Sequence, residues 1–260
     1  MIMKKIKKIV KSYWFLLRFY LYIFVILIPK IPYFNYLTKK CRIEERTDKA
    51  FKAVQKWADY SVKIGKSKVT VNGLEKIPTN RPVLFLSNHE SYADIPMLIY
   101  ALRDFNFGFM LKSTIADIPL IKNYLEYMFC VTVDQTDIRR AASAINEAAD
   151  FIKSGKSMLI FPEGRRSFSN TPDEFKNGAF KVVQKTGVTV VPIYIHNIHL
   201  VYEGNERYIA PADITVTVLD PIETENMSRA DVGRLNETVF QRILECSHKV
   251  RGVEHNMPKI

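Results

Sequence analysis

No aspartate or glutamate occurs between Met1 and Arg42; Glu44 is the first acidic residue of the chain. Nothing inside that stretch neutralises Lys4, Lys5, Lys7, Lys8 and Lys11, which argues against an ordinary buried core helix. Cysteine is scarce. Cys41, Cys130 and Cys246 stand far apart with no CxxC, which speaks against a disulfide framework or a structural zinc site and fits a reducing, cytosol-facing location. GxGxxG and GxSxG are both missing. Gly65-Lys66-Ser67 and Gly155-Lys156-Ser157 carry Tyr60 and Asp150 where a phosphate loop needs an upstream glycine. His196 and His199 have HxxH spacing after an apolar run, but no third ligand stands nearby in sequence, so no metal is expected. Repeats and low-complexity tracts are lacking too.

What is present is room for one substantial domain plus an appendage, in 260 residues. Hydrophobic residues at 47% and charged residues at 25% are near the globular average, so wholesale disorder is excluded. Thirty-eight Lys plus Arg against 27 Asp plus Glu leave +11, which points to an anionic partner. Net charge alone does not choose between nucleic acid and phospholipid.

Placement narrows the choice. After the opening lysines comes an apolar, aromatic run from Tyr13 to Ile28, broken only by Arg18. As a helix it would measure roughly 24 Å, short of the ~30 Å hydrocarbon core. Pro29, Lys30 and Pro32 follow, then a second patch of Tyr33, Phe34, Tyr36 and Leu37. A cleaved signal peptide would need an A-x-A-like site, which is missing. A spanning helix would have to extend through two prolines and Lys30. The pattern best fits monotopic anchoring, with Trp14 and the tyrosines at headgroup depth and the lysines on anionic lipid. The expected division is residues 1–42 as anchor and 43–260 as domain, on the cytoplasmic face of the membrane. A chain lacking 1–42 is expected to leave the membrane and stay folded.

Residues 45–65 show helical spacing of Ala50, Val54, Trp57 and Val62. Beyond them, strands are expected at 68–71, 83–87, 107–111, 130–133, 157–161, 189–195 and 214–219. Helices are expected at 95–102, 120–127, 138–154, 177–186 and 230–250. Such alternation predicts an α/β fold with a mixed, mainly parallel central sheet flanked by helices.

Two polar clusters follow apolar strands directly, where ligands of such sheets collect. The first is Ser87-Asn88-His89-Glu90-Ser91-Tyr92-Ala93-Asp94. On one helix His89 and Asp94 would lie about 140° apart. They meet only if His89 sits in a turn and a helix begins after it. Asp94 would then take the Nδ1 proton and leave Nε2 as a base. A loop histidine beside a helix-capping aspartate fits the spacing as well. The second cluster is Phe161-Pro162-Glu163-Gly164-Arg165-Arg166-Ser167, whose glycine permits close backbone approach and whose arginines suit phosphate. Lys112, ending another strand, is a third such group.

Together these residues resemble the lysophospholipid acyltransferase family, specifically its bacterial-type 1-acyl-sn-glycerol-3-phosphate acyltransferases. Its ordered blocks are matched by Asn88, His89 and Asp94; by Lys112 and Pro119; by Phe161, Pro162, Glu163, Gly164, Arg166 and Ser167; and by Val191, Pro192 and Ile193 after Phe175, Lys176 and Gly178. The combination spans roughly residues 83–195 and is far more specific than any one block. Arg165 stands where the family usually has Thr, Asp134-Gln135 where it often has Asp-Arg, and the glycine usual before that strand is missing around Met128–Phe129.

The resemblance implies transfer of an acyl chain from acyl-carrier protein or coenzyme A to the sn-2 hydroxyl of 1-acylglycerol 3-phosphate, giving phosphatidic acid. His89 would be the base and Asp94 its orienting partner. Asn88, Lys112, Glu163, Gly164, Arg166 and Ser167 would hold the acceptor. No metal and no cofactor beyond the thioester co-substrate is implied. A covalent route through Ser91 or a cysteine is the less simple course. Rival readings are a different acceptor (glycerol 3-phosphate or another lysophospholipid), an inactive relative that scaffolds lipid enzymes, and a basic membrane- or nucleic-acid-binding protein. Nucleic acid is disfavoured, because the basic residues surround a greasy run instead of interleaving with aromatics on a sheet.

Overall fold

Each of the seven apolar runs forms a strand in the computed structural model, which describes residues 2–118 and 121–252. The strands are β1 (Lys68–Asn72), β2 (Val83–Ser87), β3 (Phe107–Lys112), β4 (Val131–Val133), β5 (Ser157–Ile160), β6 (Thr189–His196) and β7 (Asp213–Val218). They make one sheet in the order β1-β7-β6-β2-β5-β3-β4. Every adjacent pair is parallel except β6 with β7. The mixed, mainly parallel α/β sheet expected from the alternation is therefore the one observed.

Strand composition follows position. β2 (VLFLS) and β6 are apolar almost throughout because both their faces are covered, whereas edge strand β1 alternates exposed and half-buried residues. In a parallel sheet the loops after β2, β3, β4, β5 and β6 emerge on one edge. That edge gathers both polar clusters. Helices α3 (Ile43–Gly65), α4 (Asp94–Ala101), α5 (Ile121–Tyr127), α6 (Ile138–Lys153), α7 (Phe180–Thr186), α8 (Arg229–Gly233) and α9 (Leu235–Arg251) complete the described domain. The last expected helix is split at Arg234, and α7 begins three residues later than its apolar pattern suggests. Pro119 of the second block and Leu120, the expected first residue of α5, lie outside the described residues.

The N-terminal run departs most from expectation. Helix α1 (Ile2–Tyr22) passes through a π turn (Ile23–Leu27) and a 3₁₀ turn (Ile28–Lys30) into α2 (Ile31–Lys39). The changes of winding sit where Pro29 and Pro32 bring no N–H to a regular ladder. Helical winding thus continues through the prolines, and Met3–Lys39 is by length and composition able to cross a membrane. Its first half exposes Tyr13, Trp14, Leu17, Tyr20, Leu21 and Phe24, while Leu27, Ile31, Phe34 and Leu37 join the same core as α3 and β2. Tyr124 donates to the Leu27 carbonyl at 2.8 Å and Tyr127 to Asn35 Oδ1 at 2.6 Å. A boundary at residue 42 therefore cuts through packed structure. Apolar residues at helical spacing cannot say whether lipid or protein covers them.

Before β4, Phe129 adopts φ +46°, the left-handed backbone that glycine takes without cost. The clearance comes from across the strand pair. A Cβ on Gly108 would lie 2.5 Å from the Phe129 carbonyl oxygen and 2.8 Å from its ring. Phe129 packs against Phe51 and Phe151.

Candidate active site

His89 occupies the turn after β2, and α4 starts at Asp94, five residues on. The Asp94 carboxylate does not cap its helix; it turns back into the loop. Its Oδ2 lies 2.5 Å from His89 Nδ1 and accepts the backbone N–H groups of Glu90 at 2.8 Å and Ser91 at 3.0 Å. Asp94 is fully buried and the His89 side chain is 17% exposed, so the imidazole is anchored at one nitrogen and open on one edge.

The loop after β5 completes the hold on His89. Its N–H donates to Glu163 Oε1 at 2.8 Å, its carbonyl accepts the Ser167 N–H at 2.8 Å, and its ring stacks on Phe161 with centroids 4.1 Å apart. Asn88 joins the turn to β6: its amide donates to the Ile195 carbonyl at 2.9 Å and accepts the Ile195 N–H at 2.7 Å. Only a side-chain amide offers a donor and an acceptor side by side, as a peptide does. Two loops distant in sequence thus fix one imidazole.

A family model described as "Acyltransferase" matches residues 68–196, which enclose both loops. Residues 68–196 belong to this acyltransferase family. A chloroplastic 1-acyl-sn-glycerol-3-phosphate acyltransferase of Arabidopsis thaliana is 34% identical over 167 residues, 64% of this chain and 46% of that protein. A probable 1-acyl-sn-glycerol-3-phosphate acyltransferase of Mycoplasma genitalium is 33% identical over 168 residues, 63% of this chain and 60% of that one. This chain spans about half the length of the plant and algal relatives it matches. The crystal structure of the 1-acyl-sn-glycerophosphate (LPA) acyltransferase PlsC from Thermotoga maritima shares the fold, with a TM-score of 0.79 at 22% identity, covering 96% of this chain and 100% of that one.

The remaining site residues divide by what they touch. Glu163, expected to hold the acceptor, is 1% exposed and accepts the His89 N–H through Oε1. Ser167 likewise holds His89, and Asn88 holds β6. Gly164 turns at φ +69°, and a Cβ there would sit 3.2 Å from Lys176 Nζ and 3.3 Å from Gln135 Nε2. Gln135 thereby points its amide at the Gly164 carbonyl, 3.4 Å away. Arg166 lies over the Tyr92 ring, while Arg165 is exposed and paired with Asp173. Lys112 ends β3 on the same edge, one strand beyond β5, with its side chain exposed. Ser91 is fully buried and donates to Glu203 at 2.7 Å, a poor posture for a nucleophile. Burial pushes the Cys130 thiol up to about 12, which makes it inert at neutral pH.

One pair went unread in the sequence. His199 Nδ1 lies 3.1 Å from Glu90 Oε2, so the second HxxH histidine meets a buried carboxyl, and no cluster fit for a metal occurs among the described residues. The available signal was that β6 adjoins β2, which is a tertiary fact. Glu90, Asp94 and Glu163 are three buried carboxyls, the first on His199 and the other two on His89. Burial drives Glu90 up to about 7 and Glu163 up to about 8. It raises Asp94 as well, against hydrogen bonds from His89, Ser91 and Glu90. With three donors on one oxygen, Asp94 is the carboxyl best equipped to stay ionised.

The sign of the Glu163 shift makes a prediction. A carboxyl raised from 4.5 to about 8 binds its proton more tightly when folded, so stability is full below pH 4.5 and declines as pH rises towards 8. Glu163→Gln keeps an acceptor for the His89 N–H and removes the titration. Urea unfolding across pH 5–9 should show the variant gaining on the parent as pH rises, by on the order of 4 kcal/mol. Parallel curves would mean that Glu163 is already charged at pH 5.

Proposed function

We propose that this chain moves a fatty acyl group from a thioester of acyl-carrier protein or coenzyme A to the free sn-2 hydroxyl of 1-acylglycerol 3-phosphate, forming phosphatidic acid. One observation carries this reading: a buried carboxylate 2.5 Å from the Nδ1 of a histidine whose backbone is clamped by an arginine-bearing loop. The names of the relatives support the same acceptor.

In the mechanism, Asp94 holds the Nδ1 proton, which leaves the Nε2 lone pair to accept the hydroxyl proton. The alkoxide oxygen attacks the thioester carbonyl carbon. Collapse of the tetrahedral intermediate breaks the carbon–sulfur bond, and the imidazolium proton passes to the departing thiolate. Asp94 lowers the cost of the transient imidazolium. Arg166 and Lys112 supply positive charge for the acceptor's phosphate.

Membrane attachment belongs to the same proposal. The exposed aromatic face of α1 enters one leaflet on the cytoplasmic side, and the lysines around it meet anionic headgroups. Lys8 pairs with Glu206 at 3.2 Å and Ser12 accepts the Ile209 N–H at 2.8 Å, so α1 rests on the segment that leaves the site edge after β6. A long-chain acceptor then need not cross water, at ~0.8 kcal/mol per CH₂.

The deciding experiment is a donor-by-acceptor panel with the purified full chain in mixed micelles, read by product mass. Phosphatidic acid is the product expected from 1-acylglycerol 3-phosphate. Turnover confined to glycerol 3-phosphate or to a lysophospholipid with a larger headgroup would replace the acceptor, and no acyl transfer at all would refute the reading.

A further inference from the structure

Arg166 lies close to two aromatic rings. Its guanidinium carbon lies 3.6 Å from the centroid of the Tyr92 ring and 5.8 Å from that of Phe168. Both rings are largely exposed, Tyr92 at 63% and Phe168 at 48%, although burial would ordinarily favour the opposite. Phe168 also takes φ +57°, a left-handed backbone unusual for a bulky residue and associated with sites where conformation is held for a purpose. Tyr92 is held from behind, since its N–H donates to Glu203 Oε1 at 2.9 Å while Ser91 Oγ donates to Oε2 of the same carboxylate. The ring beneath Arg166 is thus fixed to the loop that carries His89.

We infer that Tyr92 and Phe168 are positioning residues that hold the Arg166 guanidinium face-on, so that its edge is presented to the phosphate monoester of the acceptor. A guanidinium is attracted through its face to an aromatic ring and donates hydrogen bonds through its edge, so the two interactions use orthogonal directions. Stacking therefore consumes none of the donors that phosphate requires. It also removes side-chain freedom that an arginine would otherwise lose on binding, which is where preorganisation yields affinity. Arg166 Nε is buried with no partner in the protein. The inference rests on the proposed acceptor and adds which residues set its affinity.

The effect belongs in KM, because the rings touch the arginine and not the reacting hydroxyl. With donor saturating, Tyr92→Leu should raise KM for 1-acylglycerol 3-phosphate about tenfold and change kcat by less than about twofold. Tyr92→Phe, which keeps the ring face, should restore KM to within about twofold of the parent. Phe168→Ala should act in the same direction and more weakly, given its greater distance from the guanidinium. In parallel, the affinity of the full chain in micelles for inorganic phosphate is measured for the parent, Tyr92→Leu and Tyr92→Phe. An equal KM in Tyr92→Leu, a fall in kcat instead of a rise in KM, or no rescue by Tyr92→Phe overturns the inference. If the parent turns over no phosphate-bearing acceptor, the proposed function fails, and phosphate affinity decides the inference alone. Weaker phosphate binding by Tyr92→Leu, recovered in Tyr92→Phe, supports it; equal binding by all three refutes it.

Discussion

Replacing His89 by alanine should lower kcat for acyl transfer by about 10²–10⁴-fold, the usual worth of a positioned general base. KM for the acceptor should stay within a few-fold, because the phosphate contacts come from other side chains. Asp94→Asn is the sharper companion. It retains size and burial but turns an acceptor oxygen into an N–H₂ donor for one of its two rotamers, so either the Nδ1 proton or the turn N–H groups of Glu90 and Ser91 lose a charged partner. A loss comparable to that of His89→Ala is expected, without additivity in the double variant, since the two residues act as one unit. Steady-state kinetics in mixed micelles, with folding checked by circular dichroism, measure both. Full activity in His89→Ala would remove the imidazole from the chemistry.

Deleting residues 1–42 should abolish folding. The deletion takes Leu27, Ile31, Phe34 and Leu37 out of the core and leaves the Tyr124 and Tyr127 hydroxyls without Leu27 and Asn35. It also strands Arg46, which is 6% exposed and donates to Thr38 Oγ1 at 3.1 Å. Truncating one large core side chain costs about 2–5 kcal/mol, and a whole domain has only about 5–15 kcal/mol to lose. Loss of the cooperative melt is the expected result; a truncated chain that melts like the parent would show that the segment is only an appendage. Anchoring needs a gentler test. Changing the exposed Leu17, Leu21 and Phe24 to glutamine leaves the buried half intact and should weaken binding to anionic vesicles by at least about a hundredfold in flotation, with the melt retained. Undiminished flotation would place the membrane contact elsewhere.

Most of the fold was legible because its signals are local. Unbroken apolar runs such as Val83–Ser87 mark strands covered on both faces, and alternating strands and helices require a layered sheet. The turn that joins His89 to Asp94 was legible only as a condition, since spacing of five admits it without demanding it. The role of Glu163 was not legible at all. A carboxylate in an arginine-bearing loop looks like a ligand group until the backbone N–H that it serves is found in the turn after another strand. The Glu90–His199 pair and the close approach of Phe129 to Gly108 were hidden for the same reason.

By itself, then, the order of residues determined which segments would be strands, which edge would carry polar groups, and where unneutralised lysines and aromatics would gather. Periodicity and charge are properties of neighbours along the chain, so they survive without coordinates. Tertiary structure alone decided what each buried carboxyl touches, which face of the first helix is covered by protein, and that Arg166 lies over the Tyr92 ring. Those outcomes depend on strand order, and β2 meets β5 and β6 through contacts that span more than 70 residues of sequence.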